Sequence, residues 1–251
     1  METKISVIKE ELQAASYKEL PLFISKYETD ERSGVAALVK KARRQIDDYE
    51  KELLRTEGMK EYEKKYGEYS YICGIDEVGR GPLAGPVVAG AVILPRDCDI
   101  LYLNDSKQLS EKKREELNDI ILEKAVATGI GVISPERIDE INILEATKEA
   151  MRCAILEAEQ ALRAKTGCGI DHILIDALTI PKVEIPQVPI IKGDAKSISI
   201  AAASIIAKVY RDRLMVQYDD IFPGYGFAGN KGYGSQAHMD AIRTLGPTPI
   251  H

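Results

Sequence analysis

Residues 72–92 read ICGIDEVGRGPLAGPVVAGAV: two apolar runs rich in β-branched residues, separated by an acid pair, an arginine and a cluster of glycines. This stretch constrains the fold more than any other in the chain. Two such runs joined by a glycine-rich connection read as neighbouring strands of a sheet with a buried face. Side chains alternate along a strand, so Asp76 and Glu77 cannot both enter one face of a regular strand. The reading is therefore that the first strand ends at the pair. Gly79 and Gly81 then permit a turn that brings both carboxylates to one rim and turns backbone amides toward a ligand.

The downstream chain alternates between strand and helix signals. PVVAGAVIL at 86–94, TGIGVIS at 128–134, HILIDA at 172–177 and VPIIKG at 188–193 read as strands after YICGI. Ser110 is placed to cap a helix over SEKKREELNDIILEKA, and Pro135 opens a long helical segment with a break near Asn142 and an end before Gly167. The alanine-rich SISIAAASIIAKVYRDRLMVQY reads as a helix whose small side chains let it lie close on a sheet. A last helix falls near SQAHMDAIRTLG. This order implies an α/β layer fold with a mixed sheet.

Residues 1–68 have a different texture. They are rich in Lys, Glu, Arg and Tyr, and place Val35, Leu38, Val39 and Ala42 on one helix face. Two or three helices are expected there, with Asp30 as an N-cap and a domain boundary near Gly67 to Ser70.

The chain has 251 residues, 45% hydrophobic and 29% charged, enough for one large core and a smaller appendage. No stretch approaches the roughly 18 apolar residues of a membrane span, and METKISVIKEELQ lacks the apolar core of a secretory signal, so a cytoplasmic location is expected. Cys73, Cys98, Cys153 and Cys168 have neither CxxC spacing nor a histidine partner pattern, and read as reduced structural thiols. The net charge of −6 argues against a nonspecific nucleic-acid coat while leaving room for a local basic groove.

Two further acids close buried-looking segments: Asp176 ends ILIDA, and Asp194 in KGDAKS precedes the alanine-rich helix. Carboxylates delivered from separate elements to one place repel one another and raise one another's pKa unless cations neutralise them. Hard oxygen ligands suit Mg²⁺ or Mn²⁺. A pair of such ions can activate water and stabilise the leaving oxygen of a phosphodiester.

The motifs IDEVGRGPLAGPVVAGAVIL, NDSKQLSEKKRE, ILIDAL, IIKGDAKSISIAAASIIAKVYRD and YGFAGNKGYGSQAHMDAIRTLGPTPIH resemble, in order and spacing, those of ribonuclease HII over residues 70–251. Arg80 favours this type over the sister ribonuclease HIII, which lacks that arginine. The resemblance implies an RNase H-like fold with a five-stranded mixed sheet, here with a small helical N-terminal domain. It implies an endonuclease that hydrolyses the RNA strand of RNA/DNA hybrids and incises 5′ of single ribonucleotides in duplex DNA, giving 5′-phosphate and 3′-hydroxyl ends. Asp76, Glu77, Asp176 and Asp194 match the family's catalytic metal-binding carboxylates, with two Mg²⁺ or Mn²⁺ ions as cofactors. Gly79, Arg80 and Gly81 match the motif that reads the 2′-hydroxyl at the RNA-to-DNA junction. Tyr233 matches the tyrosine that contacts the ribonucleotide and packs on the following sugar. Ser106 and Lys107 are candidate phosphate ligands. Lys208 and Arg211, three apart on the alanine-rich helix, could face the substrate groove or pair with nearby acids, and the structural pairing is the reading taken; His238 is read as a packing or surface residue. The expected partners are hybrid and ribonucleotide-containing DNA duplexes, with no membrane, no obligate protein partner and a monomeric state. The PTPIH stretch usually continues for several residues in the resembled family.

Two rivals come from other classes. An actin-like-superfamily kinase is disfavoured by the short chain and the missing adenosine-contacting glycine motif. A noncatalytic nucleic-acid-binding module is disfavoured by the presence of all four acids. For the helical extension, Lys40, Lys41, Arg43 and Arg44 are expected to extend the grip on duplex phosphates. Replacing them with glutamine should weaken duplex binding, and should flatten the plot of log affinity against log salt by about 0.9 for each phosphate no longer neutralised. An unchanged slope in a salt titration would show that this face is merely solvated.

Overall fold

The computed structural model describes residues 3–251 and divides the chain into two compact units, one through Glu57 and the other Gly58–His251. In the first, α1 (Ile5–Ala14), α2 (Leu20–Tyr27) and most of α3 (Ser33–Gly58) bury Ile8, Leu12, Leu20, Phe23, Tyr27, Val35, Val39 and Ala42 against one another. Between α1 and α2, Ser16 and Glu19 form a capping box, with the Ser16 amide donating to Glu19 Oε2 at 2.7 Å. Asp30 is not the cap of α3. Its carboxylate is taken by the backbone amide and guanidinium of Arg32, and the Arg32 carbonyl starts the helical ladder.

The second unit begins with a short helix, α4 (Glu61–Lys65), and is built on a five-stranded sheet of order β3-β2-β1-β4-β5. Its strands are β1 (Ile72–Val78), β2 (Val87–Ile93), β3 (Ala127–Ile133), β4 (His172–Asp176) and β5 (Gln187–Ile190). β1 runs antiparallel to β2 and parallel to β4, so the sheet is mixed. The helices are α5 (Glu111–Lys124), α6 (Pro135–Ile141), α7 (Ile143–Thr166), α8 (Ile198–Ile221), α9 (Phe227–Asn230) and α10 (Gln236–Leu245).

The expected punctuation has physical counterparts. Ser110, Ser134, Ser197 and Ser235 each accept a backbone amide at the start of a helix. Asn142 breaks the long segment with φ 67°, and its side chain caps α7 by accepting from the amides of Leu144 and Glu145. Gly167, left-handed at φ 75°, ends α7.

One expectation needs correction. β1 does not end at Asp76; it continues through Glu77 to Val78, because β2 keeps pairing with it, Asp76 opposite Gly90 and Glu77 opposite Ala89. What stops is the parallel pairing on the other side, whose last pair is Ile75 with Ile175. The acids thus occupy a strand that is paired on one side only, which opens a rim without ending the strand.

Two helices press directly on the sheet. α7 lies over Gly129 and Gly131, where an added Cβ would strike the carbonyls of Ala154 and Ala150. On the opposite face α8 lies over Gly74 and Gly90, where a Cβ would strike Ser199 and Ala203 backbone. Ala201, Ala202 and Ala203 are wholly buried there beside Val92, Ile205 and Leu103. Glu63 of α4 fastens the start of α8, its Oε1 accepting from the Ser197 hydroxyl at 2.5 Å and the Ser199 amide at 3.1 Å. Gly131→Ala should therefore destabilise the fold by about 3 kcal/mol, because neither backbone can withdraw without dislodging the rest of its element. A urea-denaturation midpoint near the parent value would disprove this account of the packing.

Candidate active site

Asp76 is buried at the open rim of β1, and Asp176 ends β4, the adjacent parallel strand. Asp176 Oδ1 accepts the Gly193 amide at 2.7 Å, which ties it to the turn holding Asp194 just before α8. Glu77 Oε1 accepts from Arg80 at 3.1 Å, while its Oε2 is buried with no hydrogen-bond partner. Asp76 and Glu77 border a groove of about 460 Å³ together with Val78, Gly79, Arg80, Gly81, Ser106, Lys107, Arg114, Ser204, Lys208 and Tyr233. The structure thus brings the six expected substrate-binding residues together with two of the expected acids. Asp176 and Asp194 do not line the groove itself; Asp176 couples electrostatically to Asp76 and Glu77 beside it, and Asp194 couples in turn to Asp176.

The electrostatics follow from burial and like charge. Desolvation raises the Asp76 pKa well above the ordinary aspartate value, with Glu77 and Asp176 adding repulsion against a hydrogen bond from Ser204. Desolvation also raises Glu77, opposed by Arg80. Asp194 is pushed up to about 6 by burial, Asp105 and Asp176, with Lys107 pulling the other way.

Groups beyond the expected set surround these acids. Lys208 donates to Asp212 at 2.7 Å, and Arg114 stands 3.5 Å from the same carboxylate and donates to the carbonyls of Ser106 and Leu109. Lys208 is therefore ion-paired, as expected, yet it also forms part of the groove wall. The signal that could have found it is its spacing from Ser204, one helical turn away on the face of α8 that meets Asp76. Arg211, expected to pair with an acid, instead donates to three carbonyls: Pro86 at 2.9 Å, Ala84 at 2.9 Å and Lys231 at 2.8 Å. It is wholly buried and clamps the connection after the Gly79–Gly81 turn to the loop bearing Tyr233. Gly79 passes over it at φ 101°, where a Cβ would lie 2.5 Å from the Pro86 carbonyl oxygen and 2.7 Å from Arg211 Nε.

The donor chemistry suits a hard divalent cation: four carboxylates, one with a buried unpartnered oxygen, and pKa values raised by a repulsion that positive charge would relieve. As the side chains stand, no three His, Cys, Asp or Glu groups among the described residues converge closely enough to hold an ion. Glu77 leans on Arg80, and Asp176 on the Gly193 amide. Of the four cysteines, Cys73 and Cys98 are buried and Cys153 and Cys168 exposed. No helix among the described residues is long and apolar enough to cross a membrane.

The sheet, its flanking helices and the acids on the open rim of β1 and at the end of β4 define an RNase H-like protein. The family model of Ribonuclease HII matches residues 73–251, and that of the Ribonuclease HII N-terminal domain matches residues 4–67. Ribonuclease HII of Lachnoclostridium phytofermentans is 61% identical over 251 residues, covering 100% of this chain and 96% of that protein. Ribonuclease HII of Listeria innocua is 48% identical over 254 residues, covering 100% and 93%. The crystal structure of ribonuclease H2 from Pyrococcus horikoshii OT3 superposes with a TM-score of 0.59 at 27% identity, covering 72% of this chain and 91% of that one. The chain belongs to the ribonuclease HII family and is a ribonuclease H, of a divalent-metal-dependent class that acts on nucleic acid.

The raised Asp194 pKa fixes the sign of a pH effect. Below the ordinary value of 3.8 the group is protonated both folded and unfolded; as pH climbs through about 6 the folded chain must ionise it in a repelling site and loses stability. In chelator, Asp194→Asn should melt above the parent at pH 8 and no higher than it at pH 4. Mn²⁺ at about 100 times its Kd should stabilise the parent by about 2.7 kcal/mol at pH 8. The increment should shrink at pH 5, where protons compete, and in the variant. Thermal melts with and without Mn²⁺ read both effects.

Proposed function

We propose that this ribonuclease H incises duplex DNA on the 5′ side of a single embedded ribonucleotide, besides cutting the RNA strand of hybrids, and leaves 5′-phosphate and 3′-hydroxyl ends. Initiation of ribonucleotide excision repair in the cytoplasm is the corresponding cellular role. The observation that carries the reading is the composition of one groove: Asp76 and Glu77 on one wall, the Gly79–Gly81 turn beside them, and the exposed Tyr233 ring facing Gly81.

Asp76, Glu77, Asp176 and Asp194 would hold Mg²⁺ or Mn²⁺. When bound, two such ions supply the positive charge that acidifies a water nucleophile and stabilises a departing 3′ oxygen. The protein's own groups set which phosphodiester is presented. The narrow Gly79–Arg80–Gly81 backbone, without bulky side chains at its two glycines, lets amides and carbonyls meet a 2′-hydroxyl, the group that distinguishes RNA from DNA. Tyr233 stacks against the neighbouring sugar and rejects a strand that does not leave room for it. Lys107 and Ser106 take flanking phosphates, and Arg80, paired with Glu77 in the free protein, exchanges that partner for a phosphate when substrate arrives. The charged helices before residue 58 lengthen the grip on the duplex.

The test is an end-labelled DNA duplex carrying one ribonucleotide, incubated with Mg²⁺ or Mn²⁺ or with chelator. A metal-dependent nick 5′ of the ribonucleotide is expected, reduced roughly 10³-fold or more by Asp76→Asn and by Asp176→Asn. Cleavage of long hybrids with no incision at the single ribonucleotide would refute the junction reading. An undiminished rate in both variants would refute the carboxylate assignment.

A further inference from the structure

We infer that His238 is a positioning residue for Tyr233, and that His251 completes a brace fixing the width of the slot between Tyr233 and the glycine–arginine–glycine turn. This rests on the reading of Tyr233 as the residue that meets the ribonucleotide. It adds the part of the fold that holds it there.

The slot has two walls. One is the turn at residues 79–81 and its continuation to Gly85; the other is the Tyr233 ring, whose edge would lie 3.8 Å from a Cβ on Gly81. Tyr233 is carried on a loop between the four-residue α9 and α10, where its amide donates to the Asn230 carbonyl and its own carbonyl accepts from Ser235 at 2.8 Å. His238 Nδ1 lies 2.8 Å from that same Tyr233 carbonyl. The His238 Nε2 lies 3.0 Å from His251 Nε2, and His251 Nδ1 lies 2.9 Å from the Thr248 amide and 2.8 Å from its hydroxyl. One residue back, the Ile250 carbonyl accepts the Gly85 amide at 2.7 Å. A continuous set of contacts therefore runs from the Tyr233 carbonyl through both imidazoles to the opposite wall at Gly85.

The proton positions along this brace have one consistent solution. A carbonyl only accepts, so His238 carries its proton on Nδ1; an amide only donates, so His251 is unprotonated at Nδ1 and carries its proton on Nε2. His251 Nε2–H then donates to His238 Nε2, and both rings are neutral. Burial and the facing His238 ring hold His251 below the ordinary histidine pKa, in accord with a neutral ring. His238 is wholly buried, set edge-on to Phe227 at 5.3 Å and to Tyr225 at 6.5 Å, so its ring has little freedom to turn. Tyr233 by contrast is 42% exposed. An exposed ring on a short loop holds one position only if its backbone is anchored, and the buried imidazole supplies that anchor.

A double-mutant cycle on the duplex with one ribonucleotide tests this. His238→Leu should lower kcat about tenfold with KM within about twofold, because phosphate contacts elsewhere are kept. His238→Asn, whose amide can still donate to the Tyr233 carbonyl, should recover activity to within about threefold of the parent. Tyr233→Ala alone should also lower kcat; in that background His238→Leu should add less than about twofold, since its effect passes through Tyr233. Independent, multiplicative losses, or no rescue by asparagine, would overturn the brace. If Tyr233→Ala left the rate at the parent value, the reading of Tyr233 itself would fall instead. Should His238→Leu not fold by circular dichroism, His251→Leu, which cuts the brace at a partly exposed position, carries the same cycle with the same two outcomes.

Discussion

The contact on which the rest of this molecule depends is backbone against backbone: α8 laid on the sheet at Gly74 and Gly90, with no side chain between them. Close approach of this kind fixes both the height of the helix and its rotation. Successive turns of α8 then carry Ser204 to Asp76, Lys208 to the groove wall, and Arg211 under the two loops that meet there. The helix start is fixed by Glu63, which takes the Ser197 hydroxyl and the Ser199 amide, and Asp194 stands in the turn immediately before it. One packing decision thus locates most of the groups that matter chemically.

Gathering acids at such a place opposes folding. Their pKa values rise because burial and mutual repulsion both disfavour charge, and nearby Lys107 and Arg80 offset only part of this. A site of this sort is held by the rest of the fold against its own electrostatics. The alanine-lined interior under α8 and the broad apolar contact under α7 provide the compensating burial.

Much of this is legible in the sequence, for local reasons. Serine caps, Pro135, Asn142 and Gly167 act through bonds a few residues long, so the helices they bound can be read directly. The sheet follows from runs of β-branched residues, and the acids from their placement near the ends of those runs. What escapes is non-local. Nothing in IDEVG reveals that β2 keeps pairing past Asp76, since that depends on a partner strand and its register. Arg211 looks like half of an ion pair because its partners are carbonyls, which a sequence does not display. Lys208 reads as merely structural because its place on the groove wall depends on the rotation of α8.

The Arg211 clamp separates two properties of the groove. Burial presses the Arg211 pKa down, yet a guanidinium keeps its proton throughout the range in which proteins work, and its three carbonyl partners have no proton to gain or lose there. What Arg211 itself contributes to the spacing between the glycine-rich turn and the tyrosine loop is therefore insensitive to acidity and to ion supply. The acids beside it are sensitive to both. One side of the groove is thus held by bonds that do not titrate, and the other is lined by groups whose charge changes with the medium.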